Sequence, residues 1–537
     1  MPASNPKRSG RLLPLLLAAT IAGIAAVVFV LRQKSDGDQE RGQTPAAPRP
    51  KALCEGWSSP AAVLVLTGEQ HGYLEPCGCT ERQMGGLERR GDLVRQLREE
   101  KGWPVAAFDL GGAPHPERVR RAQERMKFTT TRAALRTMQY DSMALGAEEL
   151  AMDADKLFEI YSGEQGSGNT SPEFLAANVT LYGQREVGTP LEWKAVEVGG
   201  VKVAVTSVVG KTVWRRLFGE SAGVEQTNFS FEEPAAAVAR VLPLMQAAQP
   251  SLRVLLSHAE AAESRELAQQ FPDFDVIVTA GGYEDGKLEP ESIGKTLLLQ
   301  VGQKGKHAGV LGIFPEGPEP RLRFELVDLD KDRFASSREI HALMEQYVGS
   351  LATERPDLTE PEFDHPRGAE YEYVGAETCG TCHKKAWAVW SNTRHSHAYE
   401  SLATGGQRAK ESNYIDRSFD AECLCCHTTG WDPQQAWRYR TGFVDLQTTP
   451  HLAGQQCENC HGPGSRHVEL EQAWGQGGGA VTDELTAARK ELQIQKESAR
   501  TGLCVKCHDH DNSPTFDTPD KPFETQWWQK IAHPGKD

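Results

Sequence analysis

"TTPHLAGQQCENCHGPGSRHVE" (residues 448–469) sets two cysteines three residues apart, a histidine directly after them, and a further histidine on either side. The same C-x-x-C-H unit occurs as CGTCH (379–383), CLCCH (423–427), CENCH (457–461) and CVKCH (504–508), which uses eight of the 12 cysteines. With 12 Cys and 16 His among 537 residues, chance supplies about 0.01 such pentads. The spacing has a chemical reason. Two thiols on one side of a helical turn can each add to a haem vinyl group, and the next imidazole then meets the iron. Zinc sites use paired C-x-x-C elements without a histidine after every second cysteine. A thioredoxin-like motif would stand once, at a strand–helix junction. Four covalently bound haem c groups are therefore expected. Cys379 and Cys382, Cys423 and Cys426, Cys457 and Cys460, and Cys504 and Cys507 would attach them, with His383, His427, His461 and His508 as proximal ligands.

Six more histidines lie within 371–537: His395, His397, His451, His467, His510 and His533. Their surroundings are "WSNTRHSHAYESL" after the first motif, the opening stretch around the third, and "WWQKIAHPG" near the end. Together with "CHTTGW", these contexts resemble the tetrahaem cytochrome c family of the c-554 type over roughly 370–537. The resemblance implies a mostly helical, haem-packed domain in which most irons carry two histidines and one keeps an open position. It places His395, His451 and His467 at distal-type positions, with His533 as the fourth candidate. His397 and His510 are then surface or propionate-contacting residues, and Cys425, inside the second pentad, a free buried thiol.

Between 61 and 330 the pattern changes. "AAVLVLTG", "VAAFDLGG", "DSMALGA", "EFLAANV", "VKVAVTSVVG", "RVLLSHAE", "DVIVTAGG" and "TLLLQVG" read as buried strands that end on Gly or polar residues. Residues 86–100, 116–138 and 259–270 read as amphipathic helices between them. This alternation predicts a layered α/β sandwich. "GGYEDGKL" is not a P-loop, because Leu replaces the Ser/Thr and no strand–helix context surrounds it.

The strand-end motifs, from "TGEQHGYLEP" and "GGLERR" through "FDLGG", "ALGAEE", "FLAANV" and "LLSHAE" to "DVIVTAGG", resemble the 5'-nucleotidase branch of the calcineurin-like metallophosphatases. That family holds two metals and activates a water for attack on phosphorus. Several positions depart from its pattern. The Asp-x-His motif is Glu69-Gln70-His71, and the Gly-Asp carrying the bridging carboxylate is Gly111-Gly112. Gly-Asn-His-Glu is Gly146-Ala147-Glu148-Glu149, which loses a ligand, and the closing Gly-His-x-His is "TAGGYED"; His258 is retained. Two cations ~3.5–4 Å apart without a bridging carboxylate repel each other, so two-metal hydrolysis is not expected. One divalent metal held by His71, His258 and a Glu stays open, beside a retired pocket. Cys77 and Cys79, with Cys54 nearby, suit either a disulfide or a soft-metal or thiol site. The vestigial site thus comprises Glu69, His71, Cys77, Cys79 and His258.

Residues 12–31 run 20 positions without a charge behind Lys7, Arg8 and Arg11. That length spans ~30 Å of hydrocarbon with the N-terminus in the cytoplasm. The expected plan is an anchor (1–32), a linker (33–60), a metallophosphatase-like domain (61–335), a helix and linker (336–370) and a tetrahaem domain (371–537). The bulk would face the periplasm from a bacterial cytoplasmic membrane; a cleaved signal releasing a soluble periplasmic protein is the alternative. A net charge of -15 argues against nucleic acid and leaves redox proteins of the periplasm or membrane as partners. Three function classes follow: an electron carrier, a redox enzyme with an open iron, and a phosphoesterase with accessory haems.

Overall fold

A computed structural model describes residues 52–76, 83–152, 154–166, 172–185, 190–219, 228–315, 320–406 and 414–534. The expected anchor, and Cys77 and Cys79, lie outside the described residues. Among the described residues no helix is long and apolar enough to cross a membrane. From Gly56 onward the chain forms one compact unit.

Each apolar run singled out in the sequence forms a strand. These are β1 (Ala62–Thr67), β2 (Val105–Asp109), β3 (Ser142–Ala144), β4 (Glu173–Leu175), β5 (Val179–Leu181), β7 (Val201–Val209), β9 (Leu252–His258), β10 (Val276–Thr279) and β12 (Thr296–Gln300). The remaining strands here are β6 (Trp193–Val198), β8 (Phe229–Phe231), β11 (Glu291–Ile293), β13 (His307–Ile313) and β14 (Leu322–Asp328). Two six-stranded sheets result, ordered β14-β13-β1-β2-β3-β4 and β11-β12-β10-β9-β7-β6, while β5 pairs with β8. Strands β1–β4 are parallel, as are β7, β9, β10 and β12. Strands covered on both faces read as unbroken apolar runs, and β1 is buried throughout.

β13 is equally buried, but Gly309 and Gly312 thin its apolar pattern. Each glycine leaves room for an aromatic ring: a Cβ would lie 2.9 Å from Phe324 at the first and 2.6 Å from Trp57 at the second. The core between the sheets contains Leu64, Leu66, Phe108, Val203, Val205, Val254 and Leu256. A second cluster, with Ala237, Val241, Leu267 and Phe274, fills the space beneath the Pro234–Ala247 and Ala261–Gln270 helices.

The helix expected from 116 begins at Ala122 and runs to Thr137. Residues before it turn away to bind the C-terminal part: Arg118 donates to the Gln434 carbonyl at 2.7 Å and Arg121 to that of Gln435 at 3.0 Å. Tertiary contact overrides helical periodicity there. The C-terminal part is a set of short helices and turns around Tyr399, Leu424, Trp431, Phe443 and Leu452, with one two-stranded ribbon, β15 (Trp431–Asp432) against β16 (Trp437–Arg438). So little regular structure leaves a small apolar core for its length.

Candidate functional site

Two clusters of histidine emerge. The first lies at the carboxyl ends of the parallel strands, where open α/β sheets gather their ligands. After β1 the backbone rises through Glu69 and His71, both at φ 50°, a left-handed setting unusual for non-glycine residues. Their amides hold it there by donating to the carbonyls of Gly111 (2.7 Å) and Gly112 (2.9 Å). His71 Nε2 lies 3.2 Å from Glu69 Oε2, and one ligand atom each of Glu69, His71 and Glu148 falls within 4.8 Å of the others. Glu69 Oε1 and Glu148 Oε2 are buried and accept no hydrogen bond, although His258 lies 3.3 Å from the first and 3.8 Å from the second. Unpaired buried oxygens are costly, and a cation would relieve both.

The electrostatics agree. Burial, reinforced by Glu149 and Asp109, holds the Glu69 carboxyl well above its ordinary range. Burial and then Glu69 push Glu148 up to about 8. Burial lowers His71 despite the nearby carboxylates, and lowers His258 to about 4. The donor set of two carboxylates and one imidazole suits a hard or borderline divalent cation.

Two readings sharpen here. His258 was left open as a ligand of one metal, and both its nitrogens are engaged within the chain. Nε2 accepts from the Ala147 amide at 2.9 Å, and Nδ1 lies 3.3 Å from both the Leu110 carbonyl and Glu69 Oε1. Glu148, read in the sequence as part of a lost motif, joins Glu69 and His71, because the turn after β3 aims its carboxylate inward. The missing bridging carboxylate is explained sterically: a Cβ on Gly112 would sit 2.4 Å from Glu69 Oε1, so the longer Glu69 fills that space. Glu149 accepts from the amides of Gly112, Ala113 and Gly146 at 2.8–2.9 Å and braces the loops. Asp109 pairs with buried Arg90 at 3.6 Å. Cys54 is buried.

The second cluster comprises the four C-x-x-C-H motifs, each on a short helical turn. Imidazole Nδ1 is tied down in three of them: His427 to the Ala398 carbonyl (2.7 Å), His461 to that of Leu492 (2.6 Å) and His508 to Ser513 Oγ (2.8 Å). Such bonds orient the ring and turn Nε2 outward as the ligand atom. Three motif histidines face a second imidazole. Ring centroids are 6.3 Å apart for His383 and His467, 6.2 Å for His508 and His395, and 5.9 Å for His461 and His533. A metal–imidazole bond is about 2 Å and the ring centre lies roughly 1 Å beyond it, so a metal between two trans rings needs centroids about 6 Å apart. The residues fit haem iron. His427 has no such partner among the described residues. His451, expected with His395 and His467 at a distal-type position, is exposed and meets no motif histidine among the described residues; its carbonyl accepts from Gln456 Nε2 at 2.9 Å. His397 and His510 are exposed, and Cys425 is buried.

Residues 378–462 match the family described as cytochrome c554 and c-prime. Over this stretch the chain is similar to cytochrome c-554. It is 30% identical to cytochrome c-554 of Nitrosomonas europaea over 156 residues, which is 27% of this chain and 62% of that protein. It is 28% identical to multiheme cytochrome MtrA of Shewanella baltica over 109 residues, 20% of this chain and 29% of that one. Less than two thirds of either relative is therefore spanned. The similarity implies covalent haem c. Among solved structures, sulfate thiohydrolase SoxB of Thermus thermophilus has a TM-score of 0.45 at 16% identity, covering 55% of this chain and 61% of its own. A 5'-nucleotidase precursor from Thermus thermophilus has a TM-score of 0.45 at 15% identity, covering 66% and 80%.

Sequence reasoning missed the contact between the two parts. Glu422, one residue before Cys423, bonds Arg118 and Lys127 of the α/β part. Gln123 donates to Asp420 at 2.7 Å, Arg417 pairs with Glu75, and Asp511 accepts from Tyr73 Oη (2.9 Å) and Lys304 (2.7 Å). No local pattern announces such pairs, because their members lie some 200–440 positions apart.

Proposed function

We propose that the chain is an electron-transfer protein carrying four covalently held haem c groups, anchored by its N-terminal apolar segment to a bacterial cytoplasmic membrane with its bulk in the periplasm. The observation that carries this reading is the imidazole pairing at 5.9–6.3 Å, each pair joining one motif histidine to one distant histidine. When bound, each haem supplies a one-electron couple whose potential follows its axial ligands and its surroundings. The chain's residues do the rest. Nδ1 hydrogen bonds at His427, His461 and His508 hold the rings for ligation, and the paired histidines keep water from those positions. The attachment sites are contiguous. The Cys379 and Cys457 thiols interact, Cys460 neighbours Cys504, and His395 lies near both His508 and His427. The series therefore runs from the motif of His427 through those of His508 and His461 to that of His383. Cys382, at the last of these, is exposed, which gives a redox protein a place to exchange electrons.

Haem counting tests the reading. Protein from a host that matures c-type cytochromes should contain four haems per chain and show the reduced spectrum of low-spin haem c; fewer than four would overturn it. A second reading, redox chemistry at an open iron, is favoured by His427 alone. EPR should then show one high-spin ferric haem among four. The α/β part is read as non-hydrolytic, with Glu69, His71 and Glu148 able to hold one divalent cation. A phosphate ester supplied with Mn²⁺ or Zn²⁺ should not be cleaved.

A further inference from the structure

The Ala421–His427 helix, which carries the second motif, is held by the α/β part through charge. Glu422 Oε1 accepts from Arg118 Nη1 at 2.9 Å and Oε2 from Lys127 Nζ at 2.8 Å. Lys127 is almost wholly buried, with its ammonium also 3.7 Å from Glu124. Asp420 caps the helix by accepting from the Glu422 amide at 3.1 Å, and Gln123 of the α/β part fixes that aspartate. Burial disfavours the Glu422 carboxylate, but Lys127 and Arg118 outweigh it and hold the group down to about 2.

Packing alone does not explain this choice. A buried ion pair loses so much solvation that apolar residues of similar volume often stabilise as well or better. What apolar residues cannot supply is a fixed field, and with Lys127 buried and Glu422 half-buried solvent screens that field only in part. Glu422 immediately precedes Cys423 in the chain, and its charge and that of Arg118 act on the buried thiol of Cys425 within the same pentad. An electron arriving there adds one negative charge. Nearby cations favour the reduced form, and a nearby carboxylate favours the oxidised one.

We propose that the α/β part sets the redox potential of the haem held by Cys423, Cys426 and His427, with Lys127 and Arg118 raising it and Glu422 offsetting them. This rests on the haem reading above. The test is a spectroelectrochemical titration of the full-length, fully haem-loaded protein, following the couple that is lost when Cys423 and Cys426 are replaced by alanine. Lys127→Gln should lower that midpoint, Glu422→Gln should raise it, and the double variant should fall between them. The other three couples should stay in place. A purely structural role would move both single variants in one direction or disturb all four couples, and either result, or no shift, overturns the proposal. Should Lys127→Gln fail to accumulate, Arg118→Gln at the rim must shift the midpoint the same way. Fewer than four haems in the unaltered protein would indict the haem reading; four haems without opposed shifts would indict this inference.

Discussion

The pocket above β1 and the haem-motif region both collect histidines, yet they use them in opposite ways. In the pocket, imidazole and carboxylate have closed on one another: His71 lies 3.2 Å from Glu69, and His258 is engaged on both nitrogens. In the C-terminal part, the rings of His383, His461 and His508 stand with centroids about 6 Å from a second imidazole, and His461 and His508 are also tied to the chain through Nδ1. Distance separates the two cases. Groups that can satisfy each other need no cofactor, whereas the ring spacing is the one that the proposed haem ligation requires. Only the two orphaned carboxylate oxygens, on Glu69 and Glu148, keep the pocket from being self-sufficient.

The strongest challenge to this contrast is removal of an attachment site. Cys457→Ala with Cys460→Ala should reduce the haem count from four to three per chain, read by pyridine haemochrome absorbance and intact mass; an unchanged count would break the assignment. Next in size is the loss of one facing ring. His467→Ala should convert the haem of His383 to high spin and add one high-spin ferric haem to the EPR spectrum, while His451→Ala should leave the spectrum as it was.

The pocket makes a gentler prediction. Folded Glu148 titrates near 8 against an ordinary value of 4.5, so between those values the folded state binds a proton that the unfolded chain releases. Its contribution to stability is fully present below pH 4.5 and disappears as pH rises through about 8. In metal-free protein, Glu148→Gln should therefore flatten the fall in thermal midpoint between pH 5 and pH 8, and adding Mn²⁺ should raise the midpoint of the unaltered protein but not of the variant. An identical pH profile in both proteins would show that the cluster is not what titrates. The smallest effect belongs to Asp511→Asn, which removes one ion pair with Lys304 near the surface; chemical denaturation should register a loss of about 1 kcal/mol or less.

Much of the architecture could be read from local pattern. Strands buried on both faces must be apolar along their length, so β1, β2, β7 and β9 announced themselves, and the helix of 259–270 appears as Ala261–Gln270. β13 and β14 escaped notice. The first spends two positions on glycine to admit aromatic rings, and the second is only partly buried. The 116–121 stretch read as helix because its periodicity carries no information about Gln434 or Gln435, to which its arginines are committed.

By itself the sequence determined the chemistry available: which thiols can bind haem, which imidazoles follow them, and that no carboxylate stands at position 112 to bridge two metals. These are properties of residue type and short spacing, fixed by covalent geometry along the chain. Tertiary structure alone decided which distant histidine faces which motif, that His427 faces none among the described residues, that Glu148 rather than His258 completes the acidic cluster, and that Lys127 and Arg118 reach across to Glu422. Each of those depends on a direction in space between segments far apart in the chain. Folding sets such directions by burying apolar faces, and no local spacing encodes them.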